Sequence, residues 1–341
     1  MRVAILSSIA WRTPPRKYGP WEQVASNITE GLIDKGIDVT LFATGDSITK
    51  GKLSSVCEHS FGEDPSCDPK SMECLHIGNL MEQADHFDII HNNFDFLPLS
   101  YSRLIKTPIL TTIHGFSSSK ILPVYKKYNR STYYVSISNS DRSPELDYLA
   151  TVYNGVNIED FSYNHEPSDY LLFFGRIHPE KGVYECIQIA RETKSKLIIS
   201  GIIQDQEYFN NKVEPYINGR DIDYVGNSGP EERNKILGNA SALLHPISFD
   251  EPFGMSVAES MICGTPVIAY KRGSMPEIII DKKTGFLVNS VEGAANAVHQ
   301  IRNINRKDCR DWAVSAFSRE KMVDGYLEVY NTILSRQKSK H

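Results

Sequence analysis

Two carboxylates, Glu251 and Glu259, stand with seven residues between them in the stretch SFDEPFGMSVAESMICGTPVIAY, residues 248–270. The run ALLHPIS ahead of them reads as a buried strand, FDEPFG as a loop and MSVAESMICG as a helix. The first amides of that helix, those of Gly254, Met255 and Ser256, have no intrahelical acceptor and form a mouth in which an anion can sit. Glu251, in the loop before the helix, is free to accept hydrogen bonds from hydroxyls. Glu259 lies about one turn inside, on a largely apolar helix between the small residues Ala258 and Ser260, where a lone carboxylate needs a hydroxyl partner. Upstream, the strand LLFFG is followed by RIHPEKG. Arg176 ends that strand and Lys181 opens the next helix, a bidentate guanidinium and a compact ammonium that together suit a diphosphate. Two acids bracketing such a grip describe a ligand with hydroxyls at both ends of a diphosphate, which is a nucleotide sugar.

The amino half offers a different set. After its first strand the chain runs SIAWRTPPRKYGPWEQ, where a dinucleotide-binding G-x-G-x-x-G would belong and is missing, which argues against a dehydrogenase. Gly19 stands at the entry to a helix, a place where a phosphate can be met. Pro20 after it has no N–H and reads as the first helical residue. Tyr18 and Trp21 flank this turn and can make a stacking wall for a sugar ring. His114, in the strand-end stretch TIHG, and Asn93, at the end of FDIIHNN, complete this group. A lone strand-end histidine is more often structural, so His114 gains weight only in company.

Positioning these residues requires two series of βα units, because short Val, Ile, Leu and Phe runs alternate with segments of helical period. RVAILSS, IDVTLFATGDS, FDIIHNN, TPILTTIHG and TYYVSIS are the strands of one series; DYLLFFGR, SKLIISG, IDYVG, SALLHPIS and TPVIAY are those of the other. The fold class is α/β, with two facing Rossmann-like domains: residues 1–158, a linker near Asn154 to Phe161, and residues 159–317. A final helix at about 318–335, with an apolar stripe at Met322, Tyr326, Val329 and Leu334, is expected to pack back on the first domain. Residues 46–76 read as a long loop.

Composition bounds the rest. A chain of 341 residues with a net charge of −5, spread evenly along it, fits two soluble domains and no nucleic-acid partner. No apolar run reaches the roughly 18 residues of a membrane span, and a cytoplasmic location is expected. The short charge run KKYNR, with Lys120, reads as a solvated face, the alternative being a weak peripheral membrane contact. Of the six cysteines, Cys186 and Cys263 fall in apolar helical patterns and read as core thiols. Cys57, Cys67 and Cys74 show no metal-ligand spacing, and the only D-x-D, at Asp221 and Asp223, leads into the amino end of a strand, so no metal site is assigned.

Taken together, EPFGMSVAESMICGTPVIAY resembles the E-x7-E block of family 4 retaining glycosyltransferases of the GT-B fold. GRIHPEKG resembles their G-R-x-x-x-x-K-G block, and the opening helix and second strand, TIHG and YNGVN follow in order. The resemblance runs from residue 2 to about 335 and implies a GT-B architecture with an interdomain cleft that closes about the linker on donor binding. It implies that Arg176 and Lys181 hold the donor diphosphate. Glu251 reaches the transferred sugar beside the amides of Phe253 and Gly254, Met255 and Ser256 face the distal phosphate, Glu259 binds the ribose, and His114 faces the sugar. His114 and Glu251 are the catalytic expectations. The implied activity is metal-independent, cofactor-free transfer of a hexose, with retention, to a sugar, lipid-linked or small-molecule acceptor. A phosphorylase, an epimerase or a non-catalytic nucleotide-sugar binder are the alternatives. Pro20 departs from the Gly-Gly of this family and removes one backbone donor. Base, sugar, acceptor and oligomeric state are not assigned by the sequence.

Overall fold

The computed structural model describes residues 1–64, 66–115 and 118–338. The chain forms two compact units, one of Met1–Gly155 with the segment from Arg319 onward, the other of Val156–Ser318.

The first unit is built on a parallel seven-stranded sheet in the order β3-β2-β1-β4-β5-β6-β7: β1 Arg2–Leu6, β2 Asp38–Phe42, β3 Lys52–Ser54, β4 Ile89–Asn92, β5 Ile109–Ile113, β6 Tyr133–Ser136 and β7 Tyr148–Thr151. β1 is central, its Val3 aligned with Val39 on one side and Ile89 on the other, and a strand buried on both faces must be continuously apolar, as VAIL after the exposed Arg2 is. The helices are α1 Pro20–Asp34, α2 Pro69–Glu82 and α3 Leu122–Tyr128. Strands β3 and β7 sit at the sheet edges, and neither is among the sequence expectations. β3 and the start of α2 lie in the region read as a loop. Two exposed residues and a half-buried one carry no burial pattern to find β3 by, and α2 starts from an Asp68 cap whose side chain accepts from the Ser71 amide.

The second unit has a parallel six-stranded sheet in the order β10-β9-β8-β11-β12-β13: β8 Tyr170–Phe174, β9 Lys196–Ser200, β10 Ile222–Tyr224, β11 Ala242–His245, β12 Val267–Tyr270 and β13 Gly285–Val288. Its helices are α4 Val183–Thr193, α5 Gln206–Tyr208, α6 Pro230–Asn239, α7 Met255–Ile262, α8 Met275–Ile278, α9 Val291–Gln300 and α10 Arg306–Phe317. β13, an edge strand, was again unexpected. In both units the strand order reverses at the first strand, which leaves a crevice beyond the carboxyl ends.

The last helix, α11 Arg319–Lys338, belongs to the first unit. It buries Met322, Val323, Tyr326, Val329, Tyr330 and Ile333, so Tyr330 and Ile333 take the place expected for Leu334, which is half-buried. Gly31 of α1 lets the two helices approach: a Cβ there would lie 2.5 Å from Val323. Tyr330 Oη bonds His91 Nδ1 at 2.7 Å, and Tyr326 Oη bonds Thr112 at 2.9 Å, fixing α11 to β4 and β5. Among the described residues no helix is long and apolar enough to cross a membrane.

Candidate active site

In the second unit the site is assembled by loops that leave the carboxyl ends of β8 and β11. After β8, Arg176 bonds Gln204, from the loop after β9. A short 3-10 turn, Pro179–Lys181, then delivers Lys181, and Gly182 turns the chain into α4 with φ 75°. Only glycine fits there, because a Cβ would stand 2.2 Å from the carbonyl oxygen of Pro246. This close approach lets the Ser248 amide donate to the Glu180 carbonyl at 2.9 Å, joining the two loops.

The consequence is a contact the sequence did not foretell. Lys181 Nζ lies 2.5 Å from Glu251 Oε2, and both side chains are at least 85% covered, at 15% and 13% exposure. Lys181 also lies over the ring of Phe249, 4.6 Å from its centre. His245, at the end of β11, stands 3.7 Å from the same Glu251 oxygen. Burial works to raise the Glu251 carboxyl, but His245 and Lys181 outweigh it and hold it down at about 2. Glu251 is therefore ionised throughout the neutral range.

Gly254 caps α7 with φ 88°, and a Cβ there would lie 2.8 Å from Met275 Cε. Its carbonyl accepts from Val257 and Ala258 at 3.0 and 3.3 Å. The amides of Gly254, Met255 and Ser256 take no backbone acceptor among the described residues, so they remain as donors at the positive end of the helix. Phe253 is buried and packs edge-on against Phe317, ring centres 5.6 Å apart, which anchors the loop. Glu259 is buried too, and its Oε1 lies 3.3 Å from Arg233 Nη1 of α6.

In the first unit, His114 follows β5. Its Nε2 lies 2.9 Å from Asn93 Oδ1, its Nδ1 is buried without a partner among the described residues, and its ring stacks on Trp21 at 6.0 Å and 27°. Burial pushes the imidazole down to about 3, so it is neutral at working pH. Asn93 is itself buried and is the residue that orients His114. Tyr18 meets Trp11 edge-on. Gly19 caps α1, and a Cβ there would meet Pro15 at 2.8 Å and Glu22 at 2.9 Å. Glu22 is a buried carboxyl, raised by burial against hydrogen bonds from its own amide, Ser8 and the Trp11 amide.

Comparison with known proteins places this geometry. Residues 157–319 match the family of group 1 glycosyl transferases, and that span coincides with the second unit to within one residue at either end. The second unit is a group 1 glycosyl transferase domain. An uncharacterized glycosyltransferase of Methanocaldococcus jannaschii is 28% identical over 284 residues, which are 75% of this chain and 79% of that protein. Among solved structures, sucrose-phosphate synthase of Thermosynechococcus elongatus superposes with a TM-score of 0.80 at 18% identity, covering 98% of this chain and 100% of that one. HepE of Anabaena, in complex with UDP, does so with a TM-score of 0.73 at 16% identity, covering 97% and 100%. The two parallel α/β units are thus those of the GT-B fold.

Three residues of the glycosyltransferase domain went unread in the sequence. His245 sits at the end of an apolar run, and that placement was a usable signal. Arg233 and Phe249 gave none, since PEERNK looks like a solvated charge run and Phe249 like a core residue.

Proposed function

We propose that this glycosyltransferase is metal-independent and retaining, and that it moves a hexose from a nucleotide-diphosphate sugar to a hydroxyl of a sugar, lipid-linked or small-molecule acceptor. The observation that carries the reading is the Lys181–Glu251 pair set beside the open amides of α7. Lys181, Arg176 and the amides of Met255 and Ser256 are fixed donors for a diphosphate whose negative charge grows as the bond to the sugar breaks. A preset array of this kind supplies the charge stabilisation that a metal ion supplies elsewhere.

Glu251, held ionised, accepts hydrogen bonds from sugar hydroxyls. His114 is neutral and held by Asn93, so it orients a hydroxyl rather than delivering a proton. The acceptor oxygen bonds to the anomeric carbon on the face from which the diphosphate leaves, and a departing phosphate oxygen takes the acceptor's proton. Proximity and orientation then account for most of the acceleration. Trp21, 37% exposed and stacked on His114, offers an acceptor sugar an apolar face.

The reading is tested with a panel of nucleotide sugars and acceptors. Transfer should survive a chelator, and proton NMR of the first product should show the anomeric configuration of the donor. An inverted product, or loss of transfer on chelation, overturns it.

A further inference from the structure

A second buried ion pair lies near the carboxyl edge of the glycosyl transferase domain, apart from Lys181 and Glu251. Glu259 Oε1 and Arg233 Nη1 are 3.3 Å apart, with the carboxylate 5% and the guanidinium side chain 16% exposed. Arg233 enters from the first turn of α6, and its guanidinium lies over the ring of Phe161, 5.3 Å from the centre. Its Nε has no acceptor among the described residues. Three elements distant in sequence therefore fix this cation before any ligand arrives.

The chemistry of a ribose explains why Glu259 would need it. A vicinal diol offers two O–H donors and is best met by a carboxylate, which only accepts; a protonated carboxyl presents a donor instead. Burial raises the Glu259 carboxyl, Arg233 works against that, and Asp160 adds to it. Cys263, one turn further along α7, is a neutral thiol, its own ionisation pushed up to about 12. Arg233 is thus the group that opposes protonation of Glu259.

We propose that Arg233 is a positioning residue for donor recognition: through its contact with Glu259 and its seat on Phe161 it keeps that carboxylate charged and aimed, so that the enzyme reads the ribose hydroxyls of the nucleotide. The inference rests on the donor reading above. It makes the ribose, more than the base, the part of the nucleotide on which Arg233 acts, although Arg233 does not touch it.

Calorimetric titration of the full chain with UDP, GDP and ADP separates the two claims. If the wild type binds none of the three, the donor reading fails and the inference with it. With the nucleotide that binds, Arg233→Met should weaken binding by about tenfold or more, the scale of losing one partner of a buried charge pair. Arg233→Lys should recover most of the loss. In a Glu259→Gln background, Arg233→Met should change binding by less than about twofold, because the coupling partner is gone. The preference for the ribonucleotide over its 2′-deoxy analogue should shrink in Arg233→Met. In transfer assays the donor KM should rise with kcat little changed. Wild-type affinity in Arg233→Met, or a full loss that persists in the Glu259→Gln background, overturns the proposal. Should Arg233→Met fail to fold, Glu259→Gln is compared directly with Arg233→Met/Glu259→Gln, which leaves no bare buried carboxylate: a difference under about twofold supports the proposal, and a loss of about tenfold or more overturns it.

Discussion

Lys181 and Glu251 neutralise one another at 2.5 Å, so neither can be understood by its charge alone. In the proposed reading, a diphosphate arriving at α7 would compete with Glu251 for the ammonium and release Glu251 toward hydroxyls. Removing Lys181 strips a mostly buried carboxylate of its cation. Lys181→Ala is expected to lower kcat/KM by at least about tenfold, the typical size of a lost charge-stabilising group. His114→Ala should do the same, with circular dichroism unchanged for both; unchanged rates remove either residue from the site. His114 is held down at about 3 by burial, so the rate profile should show no ionisation of an essential histidine near pH 6.5. An acid limb there that disappears in His114→Ala would contradict the neutral role.

At the scale of elements, the site depends on where chains come close. Gly182→Ala pushes a methyl group into the Pro246 carbonyl, 2.2 Å away, in a left-handed backbone, and should cost at least about 1–3 kcal/mol of stability. Because that contact also seats the Lys181 loop against the Glu251 loop, donor affinity should fall with it. Urea unfolding and a donor titration measure both; a stable variant with weak binding would still place the contact in the site. In the first unit, Tyr330→Phe leaves the buried His91 Nδ1 without its 2.7 Å partner. The expected loss is about 1–3 kcal/mol, the desolvation cost of an orphaned polar group, read as a shift in the urea midpoint.

For the whole molecule, pH and the route of the chain matter most. His76, His91 and His114 of the first unit are all depressed by burial, to about 4, 3 and 3. Each binds a proton more readily unfolded, so stability is complete above about pH 6.5 and is lost as pH falls from there toward 3. Glu251, depressed as well, adds a loss only below about pH 4.5. The melting temperature should therefore fall steadily between pH 7 and 4; a flat profile would mean that these rings are not buried neutral. The chain leaves the first unit at Gly155 and returns at Arg319. A truncation after Ser318 would uncover the apolar faces that α11 covers, and it should aggregate where the full chain does not, by light scattering at equal concentration.

What the sequence determined by itself was whatever is written in neighbouring residues. The apolar runs fixed ten strands, the period of SREKMVDGYLEVYNTIL fixed α11, and the spacing of Glu251, Gly254 and Glu259 fixed a helix mouth between two acids. Edge strands β3, β7 and β13 escaped because a short strand at a sheet edge owes its form to its neighbour more than to its own pattern. Only the tertiary structure decided the partners. Lys181 meets Glu251 across 70 residues, Arg233 meets Glu259 from another helix, and His91 meets Tyr330 across 239 residues. A side chain's periodicity is local, but its electrostatic environment is set by parallel strands and long crossovers that bring distant segments to one edge of a sheet, and no window of sequence contains that.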